Sequence, residues 1–245
     1  MLLNCFFLTE SHNPDLPEEE WTLVYEKTTA GAFSQNFGWG KYKVEISGGG
    51  GSGAASIRNV SQMELVYCQN GYAGEKQTVI IPIYVGQNQV FSGTVGEGGK
   101  GCSVGVYGNP GAYNTGVATY GNVGQGYQNG LTPNIKYEYS GQASHYGLVG
   151  GAWTGGSGGG STGLLIDGIL NTVAVGGNGG TVIVNYGGYK TSTGGTGGSG
   201  GTTTGLGVSG GTSVSKWATT GTYTSGNGSD GYIRIYKSNL KPEPV

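Results

Sequence analysis

The feature of this sequence that most limits its fold is a triplet. Gly194-Gly195-Thr196-Gly197-Gly198-Ser199-Gly200-Gly201-Thr202 repeats Gly-Gly-Xaa three times without a break, and the triplet recurs at Gly155-Gly156-Ser157 and Gly176-Gly177-Asn178-Gly179-Gly180-Thr181. A period of three fits neither the 3.6-residue α-helix nor the two-residue strand. It fits the left-handed polyproline-II type of helix, with three residues per turn and no internal hydrogen bonds. Two faces of each turn are then bare backbone. Neighbouring helices can close in there and exchange the N–H···O=C bonds that buried backbone requires. Glycine loses more conformational freedom on folding than any other residue, so such helices are expected only as a packed set. A flexible linker is the competing reading of a Gly/Ser/Thr tract. The islands Leu164-Leu165-Ile166, Val173-Ala174-Val175 and Val182-Ile183-Val184 have no use in a linker. The stretch 147–211 is therefore read as packed, and as the centre of the chain.

Composition agrees with order. Glycine supplies 55 of 245 residues and charged residues only 11%, yet aromatics reach 11% with 17 tyrosines. Disordered chains are the opposite, charged and poor in aromatics. The net charge is −2 and the 12 basic residues are scattered, so nucleic acid is not an expected partner. Cys5, Cys68 and Cys102 form no Cys-x-x-Cys pair, so no metal site is expected. Free buried thiols are the favoured reading, with a Cys68–Cys102 bridge as the alternative.

Residues 1–20 read as an arm. Leu2, Leu3, Phe6, Phe7 and Leu8 form an apolar cluster ahead of an acidic stretch broken by Pro14 and Pro17. Such a cluster calls for a partner surface, which makes these five residues docking candidates. The first positive charge is Lys27 and no small-residue cleavage site follows the apolar run, so a signal peptide is not expected. No stretch approaches the length of a membrane-spanning helix.

From Trp21 the pattern becomes short alternating strands. They are read at 21–25, 32–37, 41–46, 62–68, 77–85, 90–95, 102–107 and 231–236, with Pro82 marking an edge or bulge. In the third, Tyr42, Val44 and Ile46 alternate with Lys41, Lys43 and Glu45, which marks a half-buried strand. The final strand is expected to pair back with the N-terminal ones, as in sandwiches. The chain thus divides into an arm (1–20), one glycine-rich β domain (21–237) and a tail (238–245). Within the domain lie strands (21–107), tyrosine-rich loops (108–146), glycine tracts (147–211) and closing strands (212–237).

This order resembles the glycine-rich domains of bacteriophage tail adhesins and related tail-fibre and baseplate proteins. An aromatic strand feeds Gly48-Gly49-Gly50-Gly51, a second glycine knot stands at Gly96-Glu97-Gly98-Gly99-Lys100-Gly101, and Gly-Gly-Xaa tracts precede a closing Gly231-Tyr232-Ile233-Arg234-Ile235 strand. The layout is also similar to the glycine-rich domain of anaplastic lymphoma kinase. The resemblance covers roughly residues 21–237. It implies an all-β fold: a β-sandwich of jelly-roll or tumour-necrosis-factor-like type, with a packed region of polyglycine-II helices. It further implies a virion location, assembly with other tail or fibre proteins, and a homo-oligomer, a trimer by analogy with fibres.

Catalytic motifs are present only by accident of composition. Gly96-x-Gly98-x-x-Gly101 and Gly205-x-Gly207-x-x-Gly210 match a dinucleotide fingerprint but lack its strand-to-helix context. Lys100 is followed by Gly101, so there is no phosphate loop. His145 and Asp167 have no Gly-x-Ser-x-Gly serine to complete a triad. Glu138 and Asp167 are the only acids between Cys102 and Ser229, a thin basis for glycoside cleavage. Neither catalysis nor a cofactor is expected. What remains is a tyrosine series. Tyr and Trp give large contact area at low entropic cost and stack on sugar faces. Tyr113, Tyr120, Tyr127, Tyr139, Tyr146 and Trp153 are therefore the receptor-binding candidates, for a cell-surface glycan or outer-membrane protein. A purely structural virion subunit and a bacterial surface binding domain are the alternatives.

Overall fold

The computed structural model describes residues 17–58, 63–107, 115–119, 121–127, 151–186, 189–193, 207–217 and 221–242. These residues are all β and extended chain, with no helix. The strands are β1 (Trp21–Lys27), β2 (Gly31–Phe37), β3 (Gly40–Ser47), β4 (Ala55–Arg58), β5 (Met63–Cys68) and β6 (Lys76–Ile83). Next come β7 (Gln89–Val95), β8 (Ser103–Tyr107), β9 (Thr115–Thr119), β10 (Gly151–Thr154), β11 (Thr162–Ile166) and β12 (Ile169–Ala174). The last are β13 (Val182–Tyr186), β14 (Tyr189–Thr193), β15 (Val214–Trp217), β16 (Gly221–Thr224) and β17 (Tyr232–Ser238).

Two antiparallel four-stranded sheets, β1-β17-β3-β6 and β12-β11-β7-β2, form one pole. Alternation on β3 and β17 turns Tyr42, Val44, Ile46, Ile233 and Ile235 inward, where they meet Phe33, Phe91, Val95 and Leu164 of the other sheet. The closing strand pairs with β1 on one side and β3 on the other. The opposite pole is smaller. Three three-stranded sheets, β10-β4-β15, β14-β13-β5 and β16-β8-β9, gather there. Ala55, Ile57, Cys102, Val104 and Ala152 make its core.

Between the poles run seven-residue extended segments. Those at 48–54, 69–75, 96–102, 155–161, 175–181 and 225–231 each join a strand of one pole to a strand of the other. Segments 121–127 and 207–213 lie alongside them. Segment 48–54 occupies the centre and is buried throughout. Its successive N–H groups point three ways in turn. Gly48, Gly51 and Ala54 donate to Glu75, Tyr72 and Gln69; Gly49 and Ser52 to Gly160 and Ser157; Gly50 and Gly53 to Ser229 and Gly226. Its carbonyls reach three further segments, accepting from Gly177 and Gly180, from Gly99, and from Gly211 and Val214. The six neighbours also bond one another in a closed ring. Tyr72 donates to Asn178, Gly159 to Gly177, Gly160 to Glu97, Gly228 to Gly99, Gly226 to Thr212 and Gly71 to Gly211. Six segments thus surround a seventh, and 121–127 lies outside, bonded to 96–102 and 155–161.

The surrounded segment 48–54 holds five glycines, as does 155–161; 69–75 holds two, Gly71 and Gly74, three residues apart. A Cβ at Gly51, Gly71, Gly156 or Gly228 would overlap a carbonyl of the next segment. Hydroxyls close the bundle where it meets the strands. Thr162 Oγ1 donates to Ser47 O (2.6 Å) and accepts from Gly96 N (2.9 Å). At the other end Ser225 Oγ donates to Gly53 O (2.6 Å) and accepts from Cys102 N (3.0 Å).

The centre of the chain is therefore not 147–211 but 48–54, and its partners are drawn from 69 to 231. The uninterrupted repeat 194–202 lies outside the described residues. The length of a glycine repeat in the sequence does not report how many segments surround it. The apolar islands fall in β11, β12 and β13, as segments with a core face should.

Candidate recognition surface

The two poles differ in what they present. β1 starts and β17 ends at the far tip of the sandwich, where Trp21 pairs with Ser238. At the smaller pole, β4, β8, β13 and β15 run away from the bundle.

β15 continues segment 207–213 and pairs with β4 in parallel. That orientation is inherited, because both strands leave the bundle from segments that run the same way. Trp217 stands at the end of β15, whose last three residues are all exposed, with 58% of its surface accessible. Beside it, Lys216 Nζ sits 6.0 Å from the ring centroid of Tyr223, whose body packs on the second core. Tyr67 on β5 is 37% exposed at the same pole. Lys216 and Tyr223 thus stand together beside Trp217 on short, paired strands, with Tyr67 on a separate sheet of the same pole.

Of the expected receptor-binding residues, Tyr113, Tyr120, Tyr139 and Tyr146 lie outside the described residues, as do Leu2, Leu3, Phe6, Phe7 and Leu8 of the docking arm. Trp153 is not a loop tip. It sits on β10 opposite Ser56 and is 8% exposed, with its indole N–H buried and unpartnered. Tyr127 is half-buried at the sandwich end of the bundle. Its ring lies where a Cβ on Gly163 would be, its N–H donates to Ser161 O (2.8 Å), and its hydroxyl is buried without a partner. Tyr127 packs against the bare backbone of Gly163, which takes up a flat ring readily. Trp217 and Tyr223 lie on the four-residue strands β15 and β16, too short for a period of two to show, whereas Tyr67 lies on the strand expected at 62–68.

The remaining chemistry is spent internally. In the 96–101 motif, Gly96, Gly98, Gly99 and Gly101 donate to Thr162, Asp230, Gly50 and Asn227. Lys100 Nζ lies 2.7 Å from Glu97 Oε1. No amide of this set faces a phosphate. Asp167, at a positive φ of 51°, accepts from Val90 N (2.8 Å) and donates to Val90 O (2.9 Å), which pins a turn. On the outer face of the first sheet, Lys43 lies between Trp21 (5.2 Å) and Tyr236 (4.5 Å), and Arg234 pairs with Glu26 (2.7 Å). Cys68 and Cys102 are free thiols. Burial pushes the Cys68 thiol up to about 11 and raises that of Cys102. Among the described residues no group of three His, Cys, Asp or Glu side chains is placed to hold a metal ion.

No family model and no curated protein matches this sequence.

Proposed function

We propose that this chain is a binding module of a phage virion, an adhesin of the tail or fibre that contacts the host surface and performs no catalysis. The seven-residue segments are polyglycine-II helices in this reading, since a turn of three residues sends successive N–H groups in three directions. At about 3.1 Å per residue each spans about 20 Å. The two larger sheets form the sandwich of the jelly-roll or tumour-necrosis-factor-like class and carry attachment to the virion. The smaller pole carries recognition. The observation behind this assignment is the separation of functions along the bundle. Trp21 of β1 and Ser238 of β17 pair at the sandwich tip, while exposed Trp217 stands at the end of β15 in the opposite pole.

The test is gold-labelled antibody against this protein on lysates of the source culture, viewed by electron microscopy, together with a cell-binding assay of the purified protein. Label at tail or fibre tips is expected, with binding to host cells that falls at least tenfold in a Trp217→Ala/Tyr67→Ala variant. Label on cells with no particles present would reject a virion location.

A structural virion subunit is the second reading. It is favoured by the apolar tip of the sandwich, where Val85 and Ile169 are 75% and 74% exposed. In that case label would lie along a shaft, baseplate or capsid, and the purified protein would not bind cells.

A further inference from the structure

We propose that β2 is a pairing edge for a second copy of this chain, joining two sandwiches through antiparallel β2 strands. The inference is independent of the adhesin reading. Sheet edges expose unpaired N–H and C=O groups, and proteins blunt them with bulges, prolines or charges. Three of the four sandwich edges carry such a device. β1 has a register shift between Leu23 and Tyr25 together with Glu26 and Lys27. β6 contains Pro82 and Lys76. β12 shifts register opposite Leu164 and Leu165. β2 has none of these. Its seven residues, Gly-Ala-Phe-Ser-Gln-Asn-Phe, pair with β7 without interruption and include no charge and no proline. Among the described residues no strand lies on its other side. Ala32, Ser34, Gln35 and Asn36 are exposed.

The composition of β2 selects its own copy as the occupant. With a two-fold axis through Gln35, Gln35 faces Gln35, Ser34 faces Asn36, and Phe33 faces Phe37 of the other strand. Amide meets amide or hydroxyl and ring meets ring, the pairs that stabilise adjacent strands. No like charges oppose one another. β1 lies over β2 on the same side of the sandwich, as the 6.4 Å approach of the Tyr25 and Phe33 rings shows. The product is one continuous eight-stranded sheet and a closed, isologous dimer.

The experiment is sedimentation velocity on the full chain and two variants. Wild type is expected to be a dimer. Ser34→Lys/Asn36→Lys sets lysines opposite each other twice and should raise the dimer dissociation constant at least tenfold. Ser34→Lys/Asn36→Glu sets lysine against glutamate and should restore the dimer. A monomeric wild type at high micromolar concentration overturns the proposal, as does equal association of the two variants. Should a charged variant not fold, Gln35→Cys decides. The axis places residue 35 beside its own copy, within disulfide reach. An intermolecular disulfide in Gln35→Cys but not in wild type supports the pairing, and its absence overturns it.

Discussion

The α-carbon of Gly179 lies against the carbonyl oxygen of Gly156, with no volume left for a Cβ between them. The same relation recurs between Gly228 and Gly50 and between Gly71 and Gly51. In each case a glycine hydrogen faces a carbonyl, the geometry of a weak Cα–H···O contact. The bundle thus uses the missing side chain as its packing surface.

Alanine at Gly51, Gly156 or Gly179 must therefore displace backbone, since no flexible side chain stands in the way. Overpacking of this kind costs about 3 kcal/mol or more. Gly86 is the control. It has a φ of +80° and nothing within 4 Å of the place a methyl group would take, so alanine there meets only left-handed strain of about 1–2 kcal/mol. Urea midpoints should fall further for the three bundle variants than for Gly86→Ala, and equal midpoints would refute close packing as the source of stability.

Asp230 ties the bundle to the sandwich. Its two oxygens accept from Ala30 N (3.1 Å) and Gly98 N (2.9 Å). Asp230→Ala leaves both donors unpaired and should destabilise by about 2 kcal/mol. Asp230→Asn keeps one acceptor and turns an amide donor toward the other N–H, so it should recover no more than half. Full recovery in the asparagine variant would show that a single bond matters.

The thiols offer a chemical readout of the second core. Only the thiolate reacts with alkylating agents, and with Cys68 pushed up to about 11, about one part in a thousand is ionised at pH 8. Alkylation of buried Cys102, followed by peptide mass spectrometry, should require unfolding, while half-buried Cys68 should react slowly in the folded chain. The linkage runs the same way. The folded state holds the proton of Cys68 above the thiol's ordinary value of 9.0, while the unfolded chain releases it. Stability should therefore fall as pH rises from about 9 towards 11. A flat profile in that window would place Cys68 in contact with water.

The two tryptophans at the smaller pole should separate. Trp153→Ala removes a buried indole and is expected to cost about 3–5 kcal/mol. Trp217→Ala, at an exposed strand end, should stay within about 0.5 kcal/mol of wild type. Denaturation curves decide between them, and a large loss for Trp217 would make it a packing residue.

Much of the sandwich could be read from the chain. Alternation in 41–46 and 231–236 identified β3 and β17, because one wet and one dry face impose a period of two on the residues themselves. The pairing of first and last strands followed from chain order. Gly176-Gly177-Asn178-Gly179-Gly180-Thr181 likewise falls in an extended segment of the bundle. Which segment stands at the centre was not legible, since a glycine in sequence does not say whose carbonyl it faces. Gly48, Gly49, Gly50 and Gly51 fit a loop as well as a core until six other segments, from Gln69 to Gly231, are placed around them. The roles of Trp153 and Trp217 were equally hidden, for both follow glycine-rich stretches and either suits a strand or a loop. Local pattern determined the strands and the need for glycine. Long-range backbone hydrogen bonding, which only the assembled chain can satisfy, decided which glycines are core and which aromatic residues reach water.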